Sequence, residues 1–162
     1  MCALKKAGLT ISHKPYNMKF LDLYPRHYRR LEIAGGSGYH LLKSTQKGLS
    51  VKLIRTCRIL VWDQIGSGTL EAFTSEVPTI VYWKRIYSRE APWARDLVAA
   101  LEQYGIVHSE PDTLAQEIKT YLADPEAWMK NDGRNQAIKA FCQKFALTDP
   151  LWHYKWKEFL SA

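Results

Sequence analysis

Ile59-Leu60-Val61-Trp62, then Asp63-Gln64-Ile65-Gly66-Ser67-Gly68-Thr69-Leu70-Glu71-Ala72-Phe73, then Pro78-Thr79-Ile80-Val81-Tyr82-Trp83: the reading of this stretch decides the fold. The outer runs are apolar without alternation, as expected of strands in a parallel sheet covered on both faces. Pro78 suits the first residue of a strand, where no ladder N–H is needed. The small residues Gly66-Ser67-Gly68 turn the chain after the first run, and Ser67–Glu76 reads as the helix between the two strands. A strand, a helix and a strand in that order make a βαβ unit of an α/β layer fold.

Working outward, Ile106-Val107-His108 follows Gly105 and reads as a further strand. Met18–Tyr24, a short apolar run before Pro25, also reads as one. Residues 90–104 carry Trp93, Leu97, Leu101 and Tyr104 on one helical face, with Gly105 as the stop. Pro111-Asp112-Thr113 opens another helix, with Thr113 and Gln116 at capping-box spacing. Asp124-Pro125 and Asp149-Pro150 pair a cap residue with proline, so helices are expected to begin near 126, 134 and 150. Leu49–Cys57 reads as a helix leading into the Ile59 strand, and residues 34–48 as a loop. The expected architecture is a single α/β domain over residues 1–162, a mostly parallel sheet with flanking helices and a helical C-terminal third.

Length and composition bound the rest. A chain of 162 residues with 46% apolar and 24% charged residues suits one globular domain and not a disordered chain. No run approaches the ~18 apolar residues of a membrane span, and Met1–Lys6 has no apolar region behind its lysines, so neither a membrane span nor a signal peptide is expected. Cys2, Cys57 and Cys142 stand apart with no C-x-x-C pair, which excludes a disulfide framework and suits a cytoplasmic location. Residues 1–60 hold 12 Lys/Arg against 2 Asp/Glu, and residues 61–162 hold 11 against 14. So basic a half points to an anionic partner, a phosphate, nucleic acid or acidic surface, or else to a solvated basic face.

Ligands of parallel sheets sit beyond the carboxyl ends of the strands. Those ends would gather Arg26, His27, Asp63, Trp83, Lys84, Arg85 and His108 on one rim beside the turn Gly66-Ser67-Gly68-Thr69. Small residues there admit a ligand to the backbone, and the free N–H groups that open the helix can bind a phosphate. The turn lacks the Gly-Lys-Ser/Thr of a P-loop, and Glu71 stands where the dinucleotide fingerprint has its third glycine. It can equally be a tight strand–helix corner. Glu71, read as lying in the first helical turn, favours the dipole there and is also placed to bond a sugar hydroxyl. His13, His27, His40, His108 and His153 show no metal-ligand spacing, so no metal and no cofactor are expected. Cys57 and Cys142 read as small buried hydrophobes. Trp93, Trp128, Trp152 and Trp156 fall in helical patterns as core or interface residues, whereas Trp83 could stack on a base or simply pack. The run Arg26-His27-Tyr28-Arg29-Arg30 mixes cations with an aromatic as nucleic-acid surfaces do, but no nucleic-acid motif surrounds it and the acidic second half opposes a broad footprint.

The segment from Arg58 to Val81, with its Thr69-Leu70-Glu71-Ala72 and its Pro78-Thr79 strand, resembles the nucleotide-sugar-binding part of the C-terminal domain of GT-B-type glycosyltransferases. Leu23-Tyr24-Pro25-Arg26, Pro78-Thr79-Ile80-Val81-Tyr82-Trp83 and Phe141-Cys142-Gln143-Lys144-Phe145-Ala146 resemble more closely a bacterial family of surface-carbohydrate transferases. The resemblance spans residues 18–160 and implies a Rossmann-like half of a GT-B fold that lacks its first strand. It implies a donor site in which Gly66, Ser67, Gly68 and Thr69 line the ligand, Glu71 holds the ribose and Arg26 lies near the diphosphate.

The N-terminal domain of such enzymes supplies the acceptor site and a base, and no segment here corresponds to it. The expected function is therefore a nucleotide or nucleotide-sugar binding domain related to glycosyltransferases that does not catalyse transfer alone, with no catalytic residue assigned. A non-catalytic binding or assembly module, a remnant of a truncated transferase, is the alternative, and a basic nucleic-acid-associated protein is the second. A nucleotide-sugar or other phosphorylated small molecule is the expected ligand. An uncovered sheet edge further predicts a homodimer, or a partner chain that supplies the missing domain.

Overall fold

The computed structural model describes residues 1–42, 56–86, 88–146 and 151–161. The expected helix over 49–57 lies almost wholly outside them, as do the Asp149-Pro150 helix start, much of the expected 34–48 loop, and the side chains of Trp152 and Trp156. The elements in chain order are α1 (Cys2–Lys6), β1 (Ile11–His13), α2 (Lys19–Leu23), α3 (Pro25–Gly35), β2 (Tyr39–Leu41), β3 (Leu60–Trp62), α4 (Ser67–Thr74), β4 (Thr79–Tyr82), α5 (Arg95–Gln103), β5 (Val107–His108), α6 (Pro111–Ala123), α7 (Pro125–Met129), α8 (Asp132–Phe145) and α9 (Trp152–Ser161). The fold is α/β, with parallel strands flanked by helices.

β3, β4 and β5 form a parallel sheet in sequence order, with Leu60 opposite Thr79 and Val81 opposite Val107. Thr79, Ile80 and Val81 are all buried, and neighbouring strand residues face opposite ways, so β4 is covered on both faces. α4 and α6 both pack against β4, and α8 packs on α4 and α5. Ile80, Leu101 and Ile106 are fully buried at the centre of this core, each side chain contributing on the order of 1.5–3 kcal/mol by leaving water. α5 ends where expected: Gly105 takes φ +72°, which disfavours side chains, and a Cβ there would press on the Glu117 carboxylate. Asp124 caps α7 by accepting the Ala127 N–H, and Asn131 caps α8 by accepting that of Arg134.

Lys19–Leu23 is helical, with Met18 and Tyr24 as its flanking residues, which corrects the strand expected over Met18–Tyr24. The Asn17 side-chain oxygen accepts the Lys19 N–H and starts α2, and Pro25 occupies the first position of α3, where its missing N–H costs nothing. A second parallel pair exists instead, β1 beside β2, with Ile11 opposite Tyr39 and His13 opposite Leu41. β2 thus falls inside residues expected as a loop. The Thr113–Gln116 capping box does not form, because α6 already begins at Pro111 and the Thr113 hydroxyl donates to the Glu110 carbonyl.

Candidate functional site

The turn after β3 is built around two side chains. Thr69 is fully buried; its hydroxyl donates to the Gln64 carbonyl at 3.0 Å and accepts the Gly66 N–H at 3.4 Å. That pair of bonds closes the corner from Asp63 to the helix, so Thr69 shapes the turn from inside. The six-membered ring of Trp62 lies against Gly68, where an added Cβ would come within 2.5 Å of it. We expect Gly68→Ala to displace the indole and cost about 1–3 kcal/mol, as overpacking does. Urea denaturation checks the stability, and the tryptophan emission band should shift with it.

What the turn leaves unused is a set of donors. Gly66 is the N-cap of α4 and no side chain caps the helix. The N–H groups of Ser67, Gly68 and Thr69 have no intrahelical acceptor in such a position and sit at the positive end of the helix dipole. Among the described residues, Trp62 Nε1 is the buried side-chain nitrogen without a hydrogen-bond partner. A buried donor left unpaired costs about 1–3 kcal/mol, which an oxygen acceptor would remove.

The other expected site residues divide. Asp63 and the turn follow β3, Trp83 and Lys84 follow β4, and His108 ends β5, so the parallel topology places them at one edge of the sheet. Glu71 is exposed, but it is the fifth residue of α4 and so lies beyond the first turn that the sequence suggested. Trp83 packs: it is 7% exposed, its indole N–H donates to Ser88 Oγ at 2.7 Å, and the Arg85 guanidinium lies 5.2 Å from its ring. Arg85 is held by Glu90 and Glu102 at 3.0 and 2.6 Å. Both His108 ring nitrogens are engaged, Nδ1 with the Thr113 hydroxyl and Nε2 with the Gly105 carbonyl. Trp93 is largely exposed, although its ring meets that of Phe145.

Arg26 and His27 do not end a strand. They occupy the first turn of α3, both exposed. There they adjoin a group that sequence reasoning did not single out. His13, at the carboxyl end of β1, meets the Tyr39 hydroxyl through Nδ1 at 2.6 Å, and Tyr28 stacks on its ring with centroids 5.7 Å apart. His27 in turn meets Tyr28 edge to face. Burial holds the His13 imidazole below its ordinary pKa; His27 adds to this, and Asp63 opposes it. An imidazole whose proton affinity is lowered by folding binds fewer protons folded than unfolded, so its share of stability is intact above the unfolded value of about 6.5 and is lost as pH falls from there through the lower folded value. Desolvation likewise raises the Tyr39 hydroxyl pKa, with Glu32 and Tyr28 adding to it. β1 and β2, at three residues each, carry no pattern long enough to reveal this cluster in the sequence.

An open depression of about 200 Å³ lies elsewhere, lined by Lys6 of α1 and by Asp112, Gln116 and Lys119 of α6 among others. Among the described residues no group of three or more His, Cys, Asp or Glu side chains could hold a metal ion, and no helix is long and apolar enough to cross a membrane.

The family model of the LIC12162 family transferases matches residues 40–160. No curated protein and no solved structure matches the chain. The matched span contains β3, the Asp63–Thr69 turn, α4, β4 and β5, together with Glu71, Lys84 and His108, whereas β1, α2 and α3 precede it. With three quarters of its length inside that match, the chain belongs to the LIC12162 family of transferases.

Proposed function

We propose that this chain is a nucleotide-sugar binding unit of a glycosyl transferase and that it does not complete transfer alone. The observation that carries the reading is the N-terminus of α4 directly after β3, where no side chain accepts from the first helical N–H groups and where the six-membered ring of Trp62 lies against Gly68. The Ser67, Gly68 and Thr69 N–H groups bind the diphosphate, as helix N-termini bind phosphates. Glu71 accepts from the ribose hydroxyls, and the exposed Arg26 adds positive charge to the diphosphate. The Thr69 side chain keeps the turn in shape and leaves the ligand to the backbone.

In glycosyl transfer an acceptor hydroxyl attacks the anomeric carbon, the bond to the diphosphate oxygen breaks, and the hydroxyl proton passes to a base. Rate depends on holding donor and acceptor in line, with that base in reach. The resemblance that suggests the donor site places the acceptor site in a separate domain from the one these residues form. Sugar transfer is therefore expected only when that second domain is present. Calorimetry with a panel of nucleotide-sugars tests the binding. One of them should bind, and Glu71→Ala should weaken it by about 1–3 kcal/mol, the worth of a charge-assisted hydrogen bond. Equal affinity in the variant removes Glu71 from the site. Multiple-turnover glycoside formation by the purified chain alone overturns the incomplete-enzyme reading.

A further inference from the structure

We propose that the outer face of α3, together with the end of α2, docks this chain on an anionic membrane surface. The inference does not rest on the nucleotide-sugar reading, and α2 and α3 lie outside the span that the family match covers.

The two sides of α3 are unlike. Tyr28, Leu31 and Gly35 share one side by helical spacing and turn inward: Tyr28 stacks on His13, and α3 packs against α1 and β2. Glu32, four residues after Tyr28, lies toward that side. Arg26, Arg29, Arg30 and Ile33 stand at i, i+3, i+4 and i+7, one stripe on the opposite side, and all four are exposed. Leu23 and Tyr24, just ahead of the stripe, are 65% and 58% exposed, and Ile33 at its far end is 69% exposed. Among the described residues, none of the three arginine side chains makes a hydrogen bond or an ion pair. Asp22 and Glu32 are the two acidic residues of the first 60, and neither pairs with these arginines.

The chemistry of the stripe selects its partner. Three unpaired guanidiniums within residues 26–30 call for a surface carrying many phosphates, and the apolar side chains at both ends call for hydrocarbon beneath it. A bilayer interface offers both: arginine reaches the phosphates while its apolar neighbours enter the acyl boundary. The basic excess of residues 1–60, 12 Lys/Arg against 2 Asp/Glu, adds attraction toward an anionic surface. Nucleic acid would take the arginines and stack a base on Tyr24, but it leaves Leu23 and Ile33 without a partner. A second copy meeting this face across a two-fold axis would set arginine against arginine. Among the described residues no helix is long and apolar enough to cross a membrane, so the contact is one of docking, with α3 lying along the surface.

The test is co-sedimentation of the full chain with vesicles of phosphatidylcholine alone and of phosphatidylcholine and phosphatidylglycerol in equal parts. The chain should bind the anionic vesicles and not the neutral ones, and added salt should weaken the binding by screening the charges. An arginine at such a surface is worth roughly fivefold in partition, so Arg29→Gln with Arg30→Gln should weaken binding about 25-fold. Leu23→Ser with Ile33→Ser should weaken it at least about tenfold, which adsorption by charge alone would not show. Arg26 stays unchanged, because the donor-site reading uses it. All four substituted side chains are exposed, so melting temperatures should match that of the wild type. Equal binding to both kinds of vesicle, or anionic binding that either double variant leaves unchanged, overturns the inference. Binding to single-stranded RNA with none to vesicles also overturns it and assigns the stripe to nucleic acid, and binding to none of these overturns it outright. The wild-type comparison of the two vesicles stands whether or not a variant folds.

Discussion

Arg134→Ala should lower the stability of the fold by about 3–5 kcal/mol, a fall in melting temperature of roughly 6–20 °C for a chain of this size. The guanidinium sits in a nearly closed shell. It donates to Glu117 Oε1 at 2.7 Å, to the Trp128 carbonyl at 2.8 Å and to the Tyr104 carbonyl at 3.0 Å, and it lies 3.9 Å from the centre of the Trp128 ring. Desolvation pulls its pKa down and Glu117 pulls it back. The same Glu117 oxygen accepts the Trp128 indole N–H at 2.6 Å. Three elements, α5, α6 and α8, and the short α7 therefore meet at one cation. Alanine removes the ring contact and leaves two carbonyls and a carboxylate short of donors, in a place where the side chains of Arg134 and Glu117 are only 11% and 18% exposed. The paired change Arg134→Leu with Glu117→Leu should cost less than Arg134→Ala, since no uncompensated charge then remains. Thermal and urea denaturation of the three proteins decide this, and a loss under 0.5 kcal/mol in the alanine variant, an ordinary surface effect, would show that the cluster is not a fastening.

Leu101→Ala should cost about 2–5 kcal/mol, the range for a buried leucine whose surroundings collapse only in part. Leu101 is fully buried on α5, in one core with Ile80 of β4 and Ile106 just before β5. The Ile106 N–H donates to the Leu101 carbonyl at 2.8 Å, so the backbone that would have to move is itself tied to the sheet. Little relaxation is available, which places the expected loss in the upper part of that range. An exposed change on the same helix, Ala99→Ser, should stay near zero, and equal losses in the two variants would contradict the assigned core.

The sheet was legible where strands are long and apolar. Ile59–Trp62 and Pro78–Trp83 became β3 and β4 because continuous apolar residues have one solution between two helix layers, and the helices from 95 to 145 followed from proline, cap residues and glycine stops. The N-terminal forty residues were not legible for the same physical reason in reverse. Phe20, Leu21, Leu23 and Tyr24 are apolar enough for a strand, but only Leu21 of the four is turned partly inward, and local bonds from Asn17 and the proline at position 25 tip the segment into helices. β1 and β2 are stabilised by each other across more than twenty residues of chain, a long-range pairing that no local pattern announces. The turn at Gly66–Thr69 was visible as a turn. Its internal bonds from Thr69, and the neighbouring Trp62 that requires glycine at position 68, emerged only in three dimensions. The grouping of His13 with Tyr28 and Tyr39 was not legible because these partners are distant in sequence and carry no motif.

The central claim is that a phosphorylated ligand binds on the N-terminus of α4. Its most direct test is a map of backbone amide and indole N–H chemical shifts as a nucleotide-sugar that binds is added to the 15N-labelled protein. The account predicts that the largest changes fall on the amides of Ser67, Gly68 and Thr69 and on the indole N–H of Trp62. Changes centred instead on Lys6, Asp112 and Lys119 around the depression between α1 and α6, with the turn unmoved, would contradict it.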